Sequence, residues 1–400
     1  MGIQINGNTD IISSTDGSLA IQGADLSSSS VTNLNVSGVT TVATLKATSI
    51  VGVTSAGITT AYIGAVNDGP ISGARNRIIN GDCRIDQRYA GASITVSGDP
   101  QYTLDRWFGA RGTVPNFTAI RSGSSPVGFT SSYLITMGSG TAPGTSGYAL
   151  IGQRIEGFNT SDLLWGTANA KPVTLSFWVN CSVSGTFGVS FRNNNTDTTY
   201  CTTYTINSTN TWEYKTVTVP GVTTGTWFTD NRWGIEPIWD LGVGTQYSGT
   251  AGQVNSGSNY FGVTGTTKLS STTGATFYLT GVQLEAGTVA TPFERRSYGQ
   301  ELALCQRYFE IQDVRAVTTA YVAGGYNYHV GSVRWKVTKR TAPTTNTPSI
   351  ANYQPGGGSG TASVSNQTVD GGLFLSGSTN TTFPNQWVND NPILTISAEL

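Results

Sequence analysis

The sequence predicts an all-β chain: an N-terminal β-rich trimeric shaft, then two β-sandwich domains of jelly-roll type joined by one short helix. Three observations carry this prediction. Runs of five to nine residues such as TLSFWVN (174–180) and TFGVSFR (186–192) alternate large apolar with small polar residues, the period-2 signature of half-buried strands. Residues 1–70 are rich in β-branched residues yet hold no aromatic before Tyr62. The apolar period changes to that of a helix at one place, from Tyr298, where Tyr298, Leu302, Cys305 and Phe309 are spaced by four, three and four.

Taken in order, the shaft comes first. Gly-(Val/Ile)-Thr-(Thr/Ser) recurs at Gly38, Gly52 and Gly57, and Val36, Val39, Val42 and Leu45 step by three. That step suits neither a lone strand nor a helix built from Thr and Val. Such a chain has almost nothing large to bury alone, so several identical chains wound together, burying small apolar residues on one another's copies, give a homotrimer a physical motive. The alternative is a flexible Ser/Thr-rich linker. Asn67-Asp68-Gly69-Pro70 is a turn and a domain boundary.

In NRIINGDCRIDQR (76–88), an extended backbone would align Asp82, Arg84, Asp86 and Arg88 on one face in alternating sign, with Cys83 and Ile85 opposite. The two readings are a carboxylate pair for glycoside hydrolysis and a ladder of structural ion pairs, with Asp105-Arg106 and Glu294-Arg295-Arg296 as partners. Structure is favoured, because carboxylates flanked by arginine have depressed pKa values and make poor general acids.

From 102 to 285 the pattern is all-β. Strands are expected at 174–180, 186–192, 200–206, 212–219 and 276–284, with Leu175, Phe177 and Val179 facing Phe187, Val189 and Phe191 across a sandwich core. Between Gly221 and Gly257, aromatics stand among Gly and Asn residues. A sugar's C–H face stacks on an indole while Asp and Asn take its hydroxyls, so Trp227, Asp230, Asn231, Trp233 and Tyr247 are the glycan-binding candidates. Packing of these tryptophans in a core or between subunits is the competing reading, and Trp239, inside IEPIWDL, reads as core.

Ser297 and Gln300 stand at capping-box spacing before the helix. Beyond it, Val333, Trp335 and Val337 alternate with Ser332, Arg334 and Lys336, 373–375 is a short apolar run, and 392–400 reads as a closing strand. Gly356-Gly357-Gly358 and Pro384-Asn385 mark exposed loops. The boundaries that follow are a shaft and attachment region at 1–70, a β-sandwich domain at 71–296, a connecting helix at 297–310 and a β-rich C-terminal domain at 311–400.

Composition excludes several classes. The 400 residues include 50 Gly, and 11% are charged where about 25% is ordinary, so the surface is polar but uncharged. A net charge of -1 gives no footprint for nucleic acid. No apolar run reaches the roughly 18 residues of a membrane helix, and MGIQING lacks a secretory signal, so no membrane insertion is expected. Cys83, Cys181, Cys201 and Cys305 show no CxxC and are expected as buried thiols, while the single His329 makes a zinc site improbable. No metal and no cofactor are expected.

Taken together, NRIINGDCRIDQR, Leu104-Asp105-Arg106-Trp107, LSFWV, TWEYKTVTVPG, FYLTGVQLEAGTVATPFERR and CQRYFE resemble, in order and over about 76–310, the head of tail-fibre and related surface-fibre proteins of tailed bacteriophages, especially phages of marine cyanobacteria. The resemblance implies a homotrimeric virion fibre, attached through its N-terminus to a tail or capsid protein, whose distal sandwiches, the 71–296 domain among them, are similar to carbohydrate-binding modules and bind host cell-surface polysaccharide. It carries no catalytic motif. The alternatives are a tail or capsid decoration with loose adhesion, and a fibre-borne glycan depolymerase drawing on Asp86, Asp105, Glu213, Asp230, Glu236 or Asp240, among which no spacing singles out a pair.

Overall fold

The computed structural model describes residues 75–98, 100–313, 319–323, 326–346, 349–351, 359–378 and 393–400. The shaft, its Gly-Val-Thr repeats, the 67–70 turn and the two loops expected at 356–358 and 384–385 lie outside the described residues.

Two antiparallel sheets face each other. The first has six strands in the order β1 (Ile94–Val96), β4 (Phe117–Ser122), β5 (Ser132–Met137), β16 (Thr276–Ala286), β8 (Val173–Cys181) and β11 (Glu213–Val219). The second has eight: β14 (Gln253–Ser256), β10 (Thr198–Ile206), β9 (Gly185–Arg192), β12 (Trp233–Val243), β6 (Tyr148–Gly152), β3 (Trp107–Arg111) and β2 (Gln101–Leu104), with β7 (Ile155–Glu156) paired to β12. A small parallel pair, β13 (Ser248–Gly249) with β15 (Gly262–Val263), lies within the connection between β12 and β16.

The core lies where the sequence alternation places it. Leu175, Phe177, Val179, Phe187, Val189 and Phe191 are all fully buried in one apolar cluster. Trp239 is buried with them, its ring 5.6 Å from both Trp107 and Phe177. Every second residue of these strands enters that layer, so the remaining residues populate two outer faces. The four cysteines are buried and free.

The helix, α1 (Tyr298–Gln306), has the expected capping box: Ser297 Oγ accepts from the Gln300 N–H at 3.4 Å, and Gln300 Oε1 accepts from the Ser297 N–H at 3.1 Å. It is shorter than the periodicity suggested. Phe309 opens β17 (Phe309–Asp313) instead of extending the helix, and Tyr298 is 56% exposed. The buried helix side is Cys305, which clusters with Ile79, Ile85 and Tyr308 while Leu302 and Leu304 pack against the group.

β17, β24 (Ile393–Ser397) and β20 (Thr344–Thr345) form a three-stranded sheet in that order. β18 (Thr319–Ala323), β19 (Tyr326–Arg334), β23 (Gly371–Ser378), β22 (Ser359–Ser365) and β21 (Ser349–Ala351) form a five-stranded one. Val333 and Trp335 are buried between exposed Ser332, Arg334 and Lys336, as the alternation requires.

The segment 76–88 departs from expectation. Asn80 and Cys83 adopt φ of 59° and 57°, a left-handed backbone that no strand contains, so Asp82, Arg84, Asp86 and Arg88 form no one-faced ladder. They serve as ties. Asp82 pairs with Arg84 at 2.5 Å, Asp86 accepts from the N–H groups of Tyr89 and Gly91, and Arg88 pairs with Glu399 at 2.7 Å. Burial raises the Asp82 pKa and outweighs Arg84, the reverse of the depression expected from arginine neighbours.

Candidate functional site

The five candidates drawn from 227–247 do not converge. Trp227 is 8% exposed in the core cluster, its ring edge-on to Trp165 at 4.7 Å and its Nε1 donating to the Thr224 carbonyl. Asp230 is bound by Arg232 at 2.6 Å, and that guanidinium lies 3.3 Å from the Phe228 ring centroid. Asn231 exchanges hydrogen bonds with Arg340: its carbonyl accepts from Arg340 Nη1 at 2.9 Å and its Nδ2 donates to the Arg340 carbonyl. These three residues are engaged in packing and local ties.

Trp233 and Tyr247 do share a band, on the outer face of the eight-stranded sheet. Tyr247 stacks on Phe261 at 4.7 Å, and Tyr148 meets both rings edge-on. The Arg192 guanidinium then lies between Phe261 (5.6 Å) and Trp233 (5.8 Å), and Arg154 between Trp233 (5.4 Å) and Phe108 (5.3 Å). Glu236, fully buried, accepts from Arg154 at 2.8 Å and Arg192 at 2.5 Å. Burial opposes its ionisation, but Arg192 and Arg154 together outweigh burial and hold its pKa below the ordinary carboxylate value. This face is covered. Trp233 is 7% exposed and Phe261 5%, and the Leu400 carbonyl accepts from Tyr102 Oη and Arg154 Nη1. Its aromatic faces are taken up by guanidinium groups and neighbouring rings.

The opposite outer face, on the six-stranded sheet, is covered over Ser132, Thr174, Ser176, Thr280, Gln283 and Glu285, and open beside them. Ladder register places Tyr278 beside Asn180 on one side and Leu134 on the other, and Leu134 beside Ile120. Trp212 lies one residue beyond the Glu213–Val179 pair, opposite Asn180, and its ring meets that of Tyr278 edge-on at 6.0 Å. In the next row Tyr214 stands opposite Trp178, ring centroids 5.4 Å apart, and Trp178 stands opposite Thr280. Tyr214 is 45% exposed, and Trp178, Trp212, Tyr278, Leu134 and Ile120 are all partly exposed.

A local feature shapes one margin of this strip. β16 is bulged between Thr280 and Gln283, and Gly281 there has φ of 60°. A Cβ on Gly281 would meet Phe129 at 2.7 Å and Trp178 at 3.1 Å, so glycine lets Phe129 close against Trp178. Phe293 packs edge-on to Phe129 at 5.3 Å, and Arg295 lies over Phe129. Neither residue number nor loop composition pointed to this strip. The signal available in the sequence was the outward set of strands already recognised: Trp178 within LSFWV, Tyr214 within WEYKTVTV and Tyr278 within FYLTG.

The acids considered for catalysis are each engaged. Glu213 pairs with Lys215 at 2.5 Å, Asp240 with Lys268 at 3.0 Å, and Asp105 accepts two hydrogen bonds of 2.6 Å from Gln87. Burial pushes Asp105 up to about 6, but the residue is 1% exposed. Among the described residues, no group of three His, Cys, Asp or Glu side chains is placed to hold a metal ion.

No family model matches this chain, and no curated protein matches it. Similar solved structures include the enzymatically active domain of tailspike protein 4 of bacteriophage CBA120, at 12% identity and a TM-score of 0.28, covering 55% of this chain and 22% of that one. This chain thus spans about a fifth of the length of that solved domain. They also include a CBM4 structure at 16% identity and a TM-score of 0.29, covering 52% of this chain and 97% of that one. A third is the family 11 carbohydrate-binding module of Clostridium thermocellum in complex with a mixed-linked tetrasaccharide, at 11% identity and a TM-score of 0.24, covering 50% of this chain and 99% of that one.

Proposed function

We propose that this protein is a non-enzymatic receptor-binding fibre of a bacteriophage virion, which holds host cell-surface glycan on the open face of its six-stranded sheet. The observation that carries the reading is the uncovered aromatic strip of Trp178, Trp212, Tyr214 and Tyr278. Partly exposed rings held by cross-strand partners give a rigid apolar surface for sugar C–H faces, while Asn180, in the row between Trp212 and Tyr278, supplies a hydrogen-bonding partner for hydroxyls. Maintaining such a patch exposed on a sheet face has a cost in solubility that a binding role explains.

A homotrimer on a tail or capsid, of cyanophage type, is the reading that the composition of residues 1–70 and the motif series over 76–310 support. Three copies per fibre would raise a weak single-site affinity by avidity. Absence of catalysis is favoured by the engagement of Glu213, Asp230, Glu236 and Asp240 in ion pairs, which leaves none of them poised as acid or nucleophile.

The test is retention of purified protein on host cells and on a glycan array, compared with the double variant Trp178→Ala/Trp212→Ala. Retention by the native protein and its loss in the variant are expected. Retention unchanged by the double substitution would overturn the assignment to this face, and release of reducing ends from host polysaccharide would overturn the non-enzymatic reading. Sedimentation of the intact protein checks the trimer, and cryo-EM of the virion its location.

A further inference from the structure

The strip has a direction and a charge, and both bear on what it binds. We infer that it takes a neutral, extended polysaccharide lying across the strands, a reading that rests on the glycan-binding role proposed above.

Direction comes from register. Trp212, Asn180, Tyr278, Leu134 and Ile120 fall in one transverse row, contributed by the residue leading into β11 and by β8, β16, β5 and β4. Four inter-strand spacings of about 4.8 Å make this row roughly 19 Å long, the length of several sugar rings in an extended chain. Along the strands the surface is narrower. Tyr214 and Trp178 form only one further aromatic row, and beside them Phe129 and Phe293 close the margin at the Gly281 bulge. A chain laid along the row meets ring, amide, ring and aliphatic side chain in turn, while a chain laid along the strands leaves the aromatics after two rows.

Charge comes from the outward positions. On β4 these are Thr118, Ile120 and Ser122; on β5, Ser132, Leu134 and Thr136; on β8, Thr174, Ser176, Trp178 and Asn180; on β11, Tyr214, Thr216 and Thr218. Thr276, Tyr278 and Thr280 complete the face before the bulge, and beyond it Gln283 and Glu285, opposite Ser176 and Thr174, are buried where the Thr291 and Glu294 N–H groups donate to them. Glu285 is the charged residue among these positions, and none of the exposed ones is charged. The cation at the margin, Arg295, donates to the Gly128 carbonyl at 2.6 Å and lies over Phe129. A carboxylate or sulfate laid on the row would lose water without gaining an ionic partner, which disfavours acidic glycans. The covered face shows the contrast within the same molecule, since Arg154 and Arg192 there would attract an anion but are closed in by Glu236.

The experiment is calorimetric titration of the full-length protein with linear neutral cello-, xylo- and manno-oligosaccharides of increasing length, and with oligogalacturonates as acidic probes, at low and high salt. Neutral chains are expected to bind with affinity rising from disaccharide to tetrasaccharide and beyond, independent of salt. Trp212→Ala and Tyr278→Ala should each weaken the longer chains by about tenfold or more. Binding confined to the acidic probes, or affinity already complete at the disaccharide, would overturn the inference while leaving glycan binding intact. Failure of every glycan, with cell retention unchanged in Trp178→Ala/Trp212→Ala, would overturn the underlying function. A lower oligomeric state in that double variant would show that a second copy of this chain occupies the strip, and the inference would fall for that reason.

Discussion

The two outer faces of the sandwich are built from the same kind of residue and meet opposite surroundings. Both are aromatic. On the eight-stranded side, Phe108, Trp233 and Phe261 are interleaved with Arg154 and Arg192, tied to a buried Glu236 and closed over by segments from elsewhere in the chain. On the six-stranded side, Trp178 pairs with Tyr214 and Trp212 with Tyr278, no exposed sheet position around them is charged, and all four stay partly exposed. The difference teaches that an aromatic band serves stability when its ring faces are occupied by the protein's own cations, and stays accessible when they are not.

The sharpest way to break this comparison is Glu236→Ala. It leaves two guanidinium groups on the covered face without their carboxylate, so a loss of about 3–5 kcal/mol of stability is expected in urea denaturation. Glycan affinity of the fraction that remains folded should be unchanged. A large affinity loss in that fraction would mean that the covered face, and not the open one, reads the ligand.

Acidity offers a second handle of similar size. Asp105 has an ordinary pKa of 3.8, and burial raises it to about 6 in the folded protein. Between those values the folded state binds more protons than the unfolded one. Stability from this group is therefore greatest below 3.8 and falls as pH rises to about 6, by roughly 3 kcal/mol in all. Asp105→Asn, which stays neutral, should flatten that slope in denaturation midpoints measured across the window. Glycan binding at the open row, which carries no carboxylate or imidazole, should be flat over the same range.

Trp178→Ala/Trp212→Ala reverses the pattern of Glu236→Ala. Affinity should fall by at least about tenfold, or about 1.4 kcal/mol, while stability falls by no more than about 1–2 kcal/mol because both rings are only partly buried. The smallest effect is expected from Trp233→Phe, which keeps a ring between Arg154 and Arg192 but weakens the cation–π contacts. A loss of about 0.5–1 kcal/mol in stability and none in affinity is expected.

Much of this fold was legible residue by residue. The inward sets Leu175, Phe177, Val179 and Phe187, Val189, Phe191, and the Ser297–Gln300 capping box, depend on neighbours within a few positions. Short-range rules suffice there. The segment 76–88 was misread because its left-handed residues, Asn80 and Cys83, serve contacts made far away in the chain. Asn80 donates from its side chain to the carbonyls of Ile85 and Asp105, and its own carbonyl accepts from Trp107 Nε1. Phe309 left the helix for the same kind of reason, since β17 pairs with β24 more than eighty residues later.

By itself, then, the sequence determined the class of fold, the residues of the sandwich core, the start of the helix and a surface nearly free of charge. It also determined that aromatics would stand outside the core. Only the tertiary structure decided which of them remain open. Trp233 and Trp178 look equally eligible in one dimension, but exposure of a sheet's outer face is set by what distant segments cover it. The 244–262 connection and the 398–400 end close one face, and no described segment closes the row from Trp212 to Ile120 on the other. Alternation tells which way a side chain points, and only packing tells what it finds there.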